Sequence, residues 1–267
     1  MPRPVHADDT MPVMAIVNQK GGCGKTMTAV NLAASLAESG YGTLLIDMDP
    51  QAHSTMGLGF NPEELGKSLF DVLCHKPANG ILMEEILLRI SPWLHLAPSH
   101  SSLGTFQEIW CGVQRGEEVL YETLEPLCRR YDFILIDCPA EMGLLTLNAL
   151  RAADRVLIPV EPSSFCIHSL RNTIEAVHLV EETFSKEIIS MVLLTFWSCH
   201  SRLVSEFQKE LTTSFDGQIV KTHIRKNKLL RRALEKGKPI AVFDRHSSGH
   251  SDYMALAQEL IEAQGHA

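Results

Sequence analysis

The sequence predicts an α/β fold, in which a mostly parallel, doubly wound sheet carries helices on both of its faces. Apolar runs that do not alternate with polar residues recur along the chain, as expected of strands buried on both faces. Helical patterns lie between these runs, and such alternation is typical of parallel sheets. A glycine-rich turn joins the first run to the first helical pattern. Together these features predict a sheet whose ligands bind beyond the carboxyl ends of its strands.

The predicted elements cover most of the chain. The strand-like runs are Val13–Asn18, Thr43–Asp47, Phe133–Asp137, Arg155–Val160 and Ile188–Thr195. The helical patterns span residues 25–39, 117–130, 142–150, 166–184, 201–214 and 251–263. Residues 62–116 are less regular, with short helices and turns broken by prolines. We expect a single domain over residues 13–267, preceded by a flexible leader at residues 1–12.

The composition is that of a globular protein, with 45% hydrophobic and 21% charged residues in a chain of 267. No apolar run approaches the ~18 residues that a membrane span needs. The seven cysteines are scattered and form no Cys-x-x-Cys pair, which favours reduced thiols over a disulfide framework or a zinc site. The sequence therefore predicts a cytoplasmic protein.

The segment Lys20–Thr26 carries the strongest chemical signal in the sequence. It follows an apolar strand and opens an alanine-rich helix, so its glycines let the backbone approach an anion at a helix N-terminus. We expect Lys25 to reach the outer phosphates of a nucleotide and the Thr26 hydroxyl to bind Mg²⁺. The predicted nucleotide contacts in this loop are Gly21, Gly22, Cys23, Gly24, Lys25, Thr26 and Met27.

Two further apolar strands end in acidic residues. The first ends at Asp47, with Asp49 two residues beyond it, and the second ends at Asp137. Because the carboxyl ends of parallel strands meet at one edge of a sheet, these acids should converge on the phosphate loop. In phosphoryl transfer, Asp137 would hold Mg²⁺ through a water, Asp49 would orient the attacking water, and Asp47 would support the same loop.

These carboxylates define a predicted metal group and two predicted switches. The metal group consists of Thr26, Asp49 and Asp137. The switches are the loops at residues 49–54 and 137–143, which lie where a γ-phosphate could hold them and release them on hydrolysis. Either acidic motif alone is a weak signal, but three motifs in this order are typical of a nucleotide site.

The phosphate loop departs from the general pattern, because Lys20 stands where a glycine is expected. A lysine there, followed by Gly21 and Gly22, resembles the deviant Walker A motif of the ParA/MinD class of P-loop NTPases. Residues 13–59 and 131–263, about two thirds of the chain, are similar to ParA/Soj-type partition ATPases almost throughout. The matching segments are Lys20–Thr26, Asp47–Gln51, Tyr131–Pro139, Gly143–Leu150, Ile158–Val160 and Gly237–Ile240.

This resemblance implies a Mg²⁺-dependent ATPase that forms a homodimer with ATP sandwiched between two copies. Lys20 would reach into the nucleotide of the other copy, and Lys20, Lys25 and Asp49 would be the catalytic residues. The ATP-bound dimer would bind DNA without sequence preference and associate with the nucleoid. A ParB-like or cargo-adaptor protein would stimulate slow hydrolysis, so that a chromosome, a plasmid or a large protein assembly is segregated or positioned.

Three segments differ from the family pattern. Ala140-Glu141 stand where Pro-Ser is usual, and Ala52-His53 stand where Gly-Asn is commoner. Ile224-Arg225-Lys226-Asn227 stands in place of an Ile-Pro-Arg-Asn segment that lies near the adenine in the family, which makes Asn227 a predicted contact to the base. These differences concern the hydrolysis rate and the identity of the partner more than ATP binding.

The net charge of −8 alone argues against nucleic-acid binding, but the charge is unevenly distributed. Residues 221–238 hold eight basic residues and a single acid, Glu235. Such a segment on an acidic protein predicts a local face that contacts DNA phosphates and not bases; the alternative is an ordinary solvated surface. With Arg202, which the resemblance adds, the predicted DNA contacts are Arg202, Lys221, Arg225, Lys226, Lys228, Arg231 and Arg232.

Three other functions fit parts of the sequence. A MinD-like membrane-cycling ATPase would need a basic amphipathic C-terminal helix, whereas residues 255–267 hold two glutamates and no lysine or arginine. A metal-cluster carrier related to nitrogenase iron protein would need cysteine pairs of suitable spacing, which the sequence lacks. A non-enzymatic scaffold with a degenerate site is disfavoured by the presence of Lys20, Lys25, Thr26, Asp49 and Asp137.

Overall fold

The computed structural model describes residues 13–74, 80–163, 166–197, 211, 215 and 217–264. The predicted leader at residues 1–12 lies outside these residues, and so do Arg202 and nearly all of the predicted helix at 201–214. Those expectations therefore remain predictions.

The described residues form an eight-stranded sheet in the order β3-β4-β2-β5-β1-β6-β7-β8. Its strands are β1 (Val13–Ile16), β2 (Thr43–Asp47), β3 (Leu88–Ser91), β4 (Leu94–Ala97), β5 (Phe133–Asp137), β6 (Arg155–Val160), β7 (Ile189–Trp197) and β8 (Ile219–Arg225). Every neighbouring pair is parallel except β3 and β4, which form an antiparallel edge. The predicted mostly parallel, doubly wound sheet is confirmed.

Helices cover both faces of this sheet. They are α1 (Lys25–Glu38), α2 (His53–Gly57), α3 (Leu69–Leu73), α4 (Phe106–Trp110), α5 (Val119–Leu124), α6 (Leu144–Ala152), α7 (Cys166–Phe184), α8 (Lys228–Glu235), α9 (Ile240–Phe243) and α10 (Ser248–Gln264). Short 3₁₀ turns lie at Pro62–Glu64, Met83–Glu85, Ser101–Thr105 and Glu125–Leu127.

Side chains of β1 alternate between two hydrophobic cores, which explains its lack of polar residues. Val13 and Ala15 point into a core shared with α3 to α7, whereas Met14 and Ile16 point into a core shared with α1 and α8 to α10. A strand buried on both faces has no position for a polar side chain until it ends. The chemically active residues of the chain therefore begin where the strands stop.

The register of the sheet brings the ends of three strands together. In the pairing of β2 with β5, Asp47 lies directly beside Asp137. In the pairing of β1 with β5, Ile16 lies beside Asp137, so the loop that follows β1 leaves the sheet at the same edge. The predicted convergence of the two acidic motifs on the phosphate loop follows from this register.

Several predicted boundaries differ from the structure. The predicted helix at 117–130 is too long, because α5 ends at Leu124 and Pro126 lies in the 3₁₀ turn that follows. Proline supplies no backbone N–H and clashes with the preceding turn, so the α-helix cannot continue through it. The sequence analysis also missed β3, β4 and β8, which lie at the two edges of the sheet.

The C-terminal helix α10 packs its apolar side against the rest of the protein. Tyr253, Leu256, Ala257 and Leu260 are buried in the core that α10 shares with α1. The Tyr253 hydroxyl lies 3.3 Å from that of Thr28 on α1. Among the described helices, none combines the length and the apolar character that a membrane span requires.

Candidate functional site

The phosphate loop has the backbone geometry of an anion cradle. Gly22 and Gly24 have φ of +76° and +95°, a left-handed conformation that side chains with a Cβ rarely adopt. A Cβ built on Gly24 would lie 3.5 Å from the ring of Phe196, so the loop also sits close to β7. Within the described residues, no side chain caps the N-terminus of α1, and its first N–H groups remain available to a phosphate.

Lys25 is buried and turned back toward its own loop. Its Nζ donates to the carbonyl of Asn18 at 3.0 Å and to the carbonyl of Lys20 at 3.3 Å. Both acceptors are backbone groups of the phosphate loop, so the amine lies inside the cradle. The predicted role of Lys25 toward the outer phosphates is consistent with this position.

Lys20 points in a different direction from Lys25. Its Nζ donates to the hydroxyl of Ser163 at 2.9 Å and lies 3.7 Å from a carboxylate oxygen of Glu161. The Lys20 side chain is 27% exposed. Thus one lysine of this loop faces inward, and the other lies at the surface beside the end of β6.

Two buried carboxylates stand behind the phosphate loop, and each accepts hydrogen bonds from the first turn of α2. Asp47 Oδ2 accepts from the backbone N–H of Thr55 at 2.8 Å and from its hydroxyl at 2.7 Å. Asp137 Oδ2 accepts from the hydroxyl of Ser54 at 2.8 Å. The other oxygen of Asp137, Oδ1, is buried and accepts no hydrogen bond of standard geometry from the described residues, although the Thr26 hydroxyl lies close enough to lower the pKa of this carboxyl.

Burial also governs the protonation of these acids. Burial, and after it the neighbouring charge of Asp137, raises the pKa of Asp47 to about 8, although the hydrogen bonds from Thr55 act in the opposite direction. Burial raises the pKa of Asp137 to about 6, while the hydroxyls of Ser54 and Thr26 lower it. A site that holds two adjacent carboxylates in an apolar sheet favours a bound cation.

Asp49 is held by its backbone in a tight loop. Its carbonyl accepts from the N–H of Ala52 at 2.8 Å and from the hydroxyl of Ser99 at 2.7 Å. Its Oδ1 accepts from the N–H of Gln51 at 2.9 Å. Asp49 therefore lies beyond the end of β2 with the orientation of its loop fixed, as its predicted role toward water requires.

The residues of this site fit a magnesium ion on chemical grounds. Mg²⁺ prefers oxygen ligands and is commonly held by one or two carboxylates together with substrate phosphates. The unpartnered Oδ1 of Asp137 and the hydroxyl of Thr26 are oxygen donors of this kind, next to the phosphate loop. The described residues contain no cluster of three or more histidine, cysteine, aspartate or glutamate side chains that could hold a metal ion by themselves. Phosphate oxygens would complete the coordination.

The basic segment forms an exposed face around α8. Leu230 and Ala233 bury one side of α8, whereas the charged side chains of Lys228, Arg231 and Arg232 are exposed. Lys221, Lys226, Lys236 and Lys238 are exposed nearby. As far as the structure describes the chain, none of these seven residues forms an ion pair, so their charges are free for an anion.

Arg225 and Asn227 are engaged within the protein. The Arg225 guanidinium binds Asp252 on α10, with an Nη2–Oδ1 distance of 2.6 Å. Asn227 caps α8 by accepting the N–H of Leu229 at 2.8 Å, and its amide donates to Ser248 at 3.0 Å. The predicted DNA contact at Arg225 would thus compete with an ion pair, and the predicted base contact at Asn227 with a helix cap.

Sequence reasoning missed several residues that shape the site. Asn18 accepts the N–H of Lys20 and the hydroxyl of Ser169, and its amide donates to the carbonyl of Pro159. Ser54 lies within the predicted switch at residues 49–54, which places it near the site, but its contact with Asp137 has no local signal. Ser99 follows the short strand β4, which had itself been missed, so its role had no local signal.

Known proteins with similar sequences cover most of this chain. The AAA_31 family model, described as an AAA domain, matches residues 11–190. The chain is 34% identical over 251 residues to the chromosome partitioning protein ParA of Myxococcus xanthus, covering 94% of this chain and 88% of that protein. It is 36% identical over 250 residues to the sporulation initiation inhibitor protein Soj of Bacillus subtilis, covering 93% and 97%.

Solved structures share the fold. Apo McdA of Cyanothece superposes with a TM-score of 0.82 at 25% identity, covering 94% of this chain and 99% of that one. Cobyrinic acid a,c-diamide synthase of Mycobacterium smegmatis, with bound ATP analogue and magnesium, superposes with a TM-score of 0.80 at 24% identity, covering 94% and 95%. The overall fold is thus common to this chain and both structures.

Proposed function

The chain belongs to the ParA/Soj family of partition ATPases, and we propose that it hydrolyses ATP slowly as a DNA-bound dimer. Membership of the family makes it a positioning ATPase in general. The more specific proposal is that the ATP-bound dimer binds DNA without sequence preference. A partner protein then stimulates hydrolysis, which releases the dimer from DNA and moves a chromosome, a plasmid or a protein assembly.

The convergence of three motifs at one edge of the sheet carries the ATPase proposal. The phosphate loop, the Asp47–Asp49 loop and Asp137 follow the adjacent strands β1, β2 and β5. Phosphoryl transfer needs positioning and electrostatic stabilisation more than covalent chemistry. We assign Lys25 and the loop glycines to the phosphates, and Thr26 and Asp137 to magnesium. Cys23 and Met27, which belong to the same loop and the start of α1, are assigned as further contacts to the nucleotide.

Asp49 is the proposed water-positioning residue. Magnesium, when bound, neutralises charge on the phosphate oxygens. Asp49 lies on the loop that Ser99 and Ala52 hold by its carbonyl, and its Oδ1 accepts the N–H of Gln51; we assign its carboxylate to the orientation of a water. A positioned carboxylate that accepts a proton from water is an ordinary general base.

The position of Lys20 supports a role across a dimer interface. Unlike Lys25, it leaves its own loop and reaches the surface beside Ser163 and Glu161. A long basic side chain at that place can bind phosphate oxygens of a second copy by charge-assisted hydrogen bonds. We therefore propose the ATP-dependent homodimer as the active species.

The exposed basic face around α8 supports DNA binding. Its side chains form no ion pairs with the described residues, and they surround a helix whose apolar side is buried. Contacts of lysine and arginine with phosphates carry no sequence information and weaken steeply with salt. A dimer would present two such faces, so the second contact would benefit from a high effective concentration.

Reversing three charges on α8 tests the DNA proposal. We expect the triple variant Lys228→Glu, Arg231→Glu, Arg232→Glu to lose ATP-dependent DNA binding while still forming the ATP-bound dimer. A matched control reverses Arg89, Arg129 and Arg171, which are exposed elsewhere and change the net charge equally. Electrophoretic mobility shift of an arbitrary DNA fragment measures binding, and light scattering measures the dimer. DNA binding that survives in the α8 variant, or is lost equally in the control, would contradict the assignment.

A MinD-like membrane-cycling ATPase is the second candidate. It requires an amphipathic helix whose apolar side is free to enter the lipid interface. In α10 that side, with Tyr253, Leu256 and Leu260, is buried in the core. Co-sedimentation with anionic lipid vesicles in the presence of ATP tests this candidate, and clear binding would favour it over DNA.

A further inference from the structure

Serine 54 lies where it can control the metal-holding carboxylate. We propose that Ser54 is a positioning residue for Asp137, whose hydroxyl occupies one carboxylate oxygen and orients the other toward the metal. This inference rests on the proposed role of Asp137 in holding magnesium.

The contact between Ser54 and Asp137 is short and buried. The Ser54 hydroxyl donates to Asp137 Oδ2 at 2.8 Å, and both residues are fully excluded from solvent. Buried polar groups are almost always hydrogen-bonded, so an unpartnered buried oxygen calls for a physical explanation. Oδ1 of Asp137 accepts no hydrogen bond of standard geometry within the described residues, although the Thr26 hydroxyl lies near the same carboxylate that Ser54 binds. A ligand that binds Oδ1 would complete the hydrogen-bonding and charge balance of the carboxylate.

The start of α2 fixes where Ser54 lies. Ala52, the residue that precedes α2, has φ of +54°, a left-handed conformation that is unfavourable for an alanine. This turn redirects the chain from the Asp49 loop into α2. It places the hydroxyls of Ser54 and Thr55 on adjacent buried carboxylates, Asp137 and Asp47.

Thr55 and Ser99 hold this turn of α2 in place. The Thr55 hydroxyl donates to Asp47 and accepts the N–H of Ser99 at 3.0 Å, while the Ser99 hydroxyl donates to the Asp49 carbonyl. Hydrogen bonds therefore attach the segment from Asp47 to Thr55 at several points to residues at the ends of β2, β4 and β5. These strands are hydrogen-bonded to one another in the sheet. Ser54 has little freedom to leave Asp137, which is what a positioning residue requires.

Partners of metal-binding carboxylates contribute strongly to metal affinity. Removing a hydrogen bond to a ligating side chain typically lowers metal affinity 10- to 100-fold, because the ligand loses its orientation and its charged form is less stabilised. Ser54 supplies such a bond to Asp137. We expect its loss to act on the magnesium dependence of nucleotide binding and not on the phosphate loop itself.

The test measures the Mg²⁺ concentration at half-saturation for binding of a fluorescent ATP analogue to the full chain. In Ser54→Ala we expect this concentration to rise 10- to 100-fold. Binding of the same analogue in EDTA should remain as in the unmodified protein, which also shows that the variant is folded. Ser54→Thr keeps the hydroxyl and should restore most of the Mg²⁺ affinity.

Two further variants make the outcomes distinguishable. Ser35→Ala removes another fully buried serine hydroxyl, one with no hydrogen-bond partner among the described residues, and should leave the Mg²⁺ dependence unchanged. Asp137→Asn should raise the half-saturating Mg²⁺ concentration. If Asp137→Asn acts and Ser54→Ala does not, or if threonine fails to rescue, the inference is overturned and the role of Asp137 stands. If Asp137→Asn has no effect, the proposed metal site is itself wrong.

Discussion

At the scale of single residues, the two lysines of the phosphate loop differ in where their amines lie. The Lys25 amine is buried against backbone carbonyls of its own loop, whereas the Lys20 amine lies at the surface beside Ser163 and Glu161. This separation allows one lysine to bind the nucleotide of its own copy and the other to bind that of a second copy. The proposed roles of Lys20 and Asp49 can therefore be separated by mutation.

We predict that Lys20→Ala abolishes ATP-dependent dimerisation, because the charge that binds the second nucleotide is removed. We predict that Asp49→Ala still dimerises with ATP but loses at least about 10²-fold in turnover, as expected for removal of a general base. Size-exclusion chromatography with light scattering, together with phosphate release, measures both properties. A dimeric Lys20→Ala or a monomeric Asp49→Ala would count against these roles.

The protonation of Asp137 predicts a pH dependence of magnesium affinity. Burial raises the pKa of Asp137 to about 6, so the carboxylate is ionised above that pH and protonated below it. Because metal binding needs the ionised form of Asp137, affinity for Mg²⁺ should be higher above this pKa than below it. Below the pKa it should fall about tenfold per pH unit. Magnesium titrations of nucleotide binding from pH 5 to 8 measure this, corrected for protonation of the nucleotide. In Asp137→Asn the remaining dependence should be flat, and an equal slope there would assign the proton to another group.

Part of the site could be predicted from local sequence, and part could not. The phosphate loop, Asp47, Asp49 and Asp137 follow apolar strands directly, so spacing alone places them at one edge of the sheet. The hydroxyl network depends on contacts across the fold: Ser99 is 50 residues from Asp49, and Ser54 is 83 residues from Asp137. No periodicity or motif encodes such a contact in a single sequence.

At the scale of elements, α2 connects the carboxylates to the basic helix α8. Its first turn binds Asp47 and Asp137. At its other end, Gly57 lies against Leu234 of α8, and Gly59 lies against Gly237 just beyond it. Only glycines allow this approach, since a Cβ on Gly237 would lie 2.6 Å from the Cα of Gly59. A short, rigid contact thus joins the candidate metal site to the candidate DNA face.

We predict that Gly237→Ala destabilises the protein more than Gly40→Ala does. Both glycines have positive φ, of +64° and +86°, which costs an L-residue about 1–2 kcal/mol. Only at Gly237 does the new methyl meet backbone atoms, which should add about 1–3 kcal/mol of overpacking. Urea unfolding of the two variants measures the difference. Equal free energies of unfolding would show that the contact between Gly59 and Gly237 is not tight.

Element prediction was reliable where long apolar runs or long helical patterns exist. The predicted helix at 166–184 coincides with α7, and three of the predicted strands coincide with β2, β5 and β6. The edge strand β3 and its neighbour β4 have four residues each, too few for a pattern to emerge. In β8, basic residues alternate with apolar ones, and the charge pattern obscured the strand.

At the scale of the whole molecule, the charge distribution separates the proposed DNA-binding face from an acidic body. The chain carries a net charge of −8, yet residues 221–238 hold eight bases and one acid. Such a protein is repelled by DNA except at one face, so a monomer should bind weakly. In an ATP-bound dimer, DNA bound to the basic face of one copy lies at a high effective concentration for the basic face of the other copy. DNA affinity should therefore depend on the nucleotide that is bound.

Binding to unrelated DNA fragments with ATP, with ADP and without nucleotide, across a salt series, tests this central claim most directly. The account predicts binding with ATP alone, equal affinity for fragments of different sequence, and a steep fall in affinity as salt increases. Each phosphate contact should contribute about −0.9 to the slope of log affinity against log salt concentration. Binding that is independent of nucleotide, or absent in every state, would contradict the account.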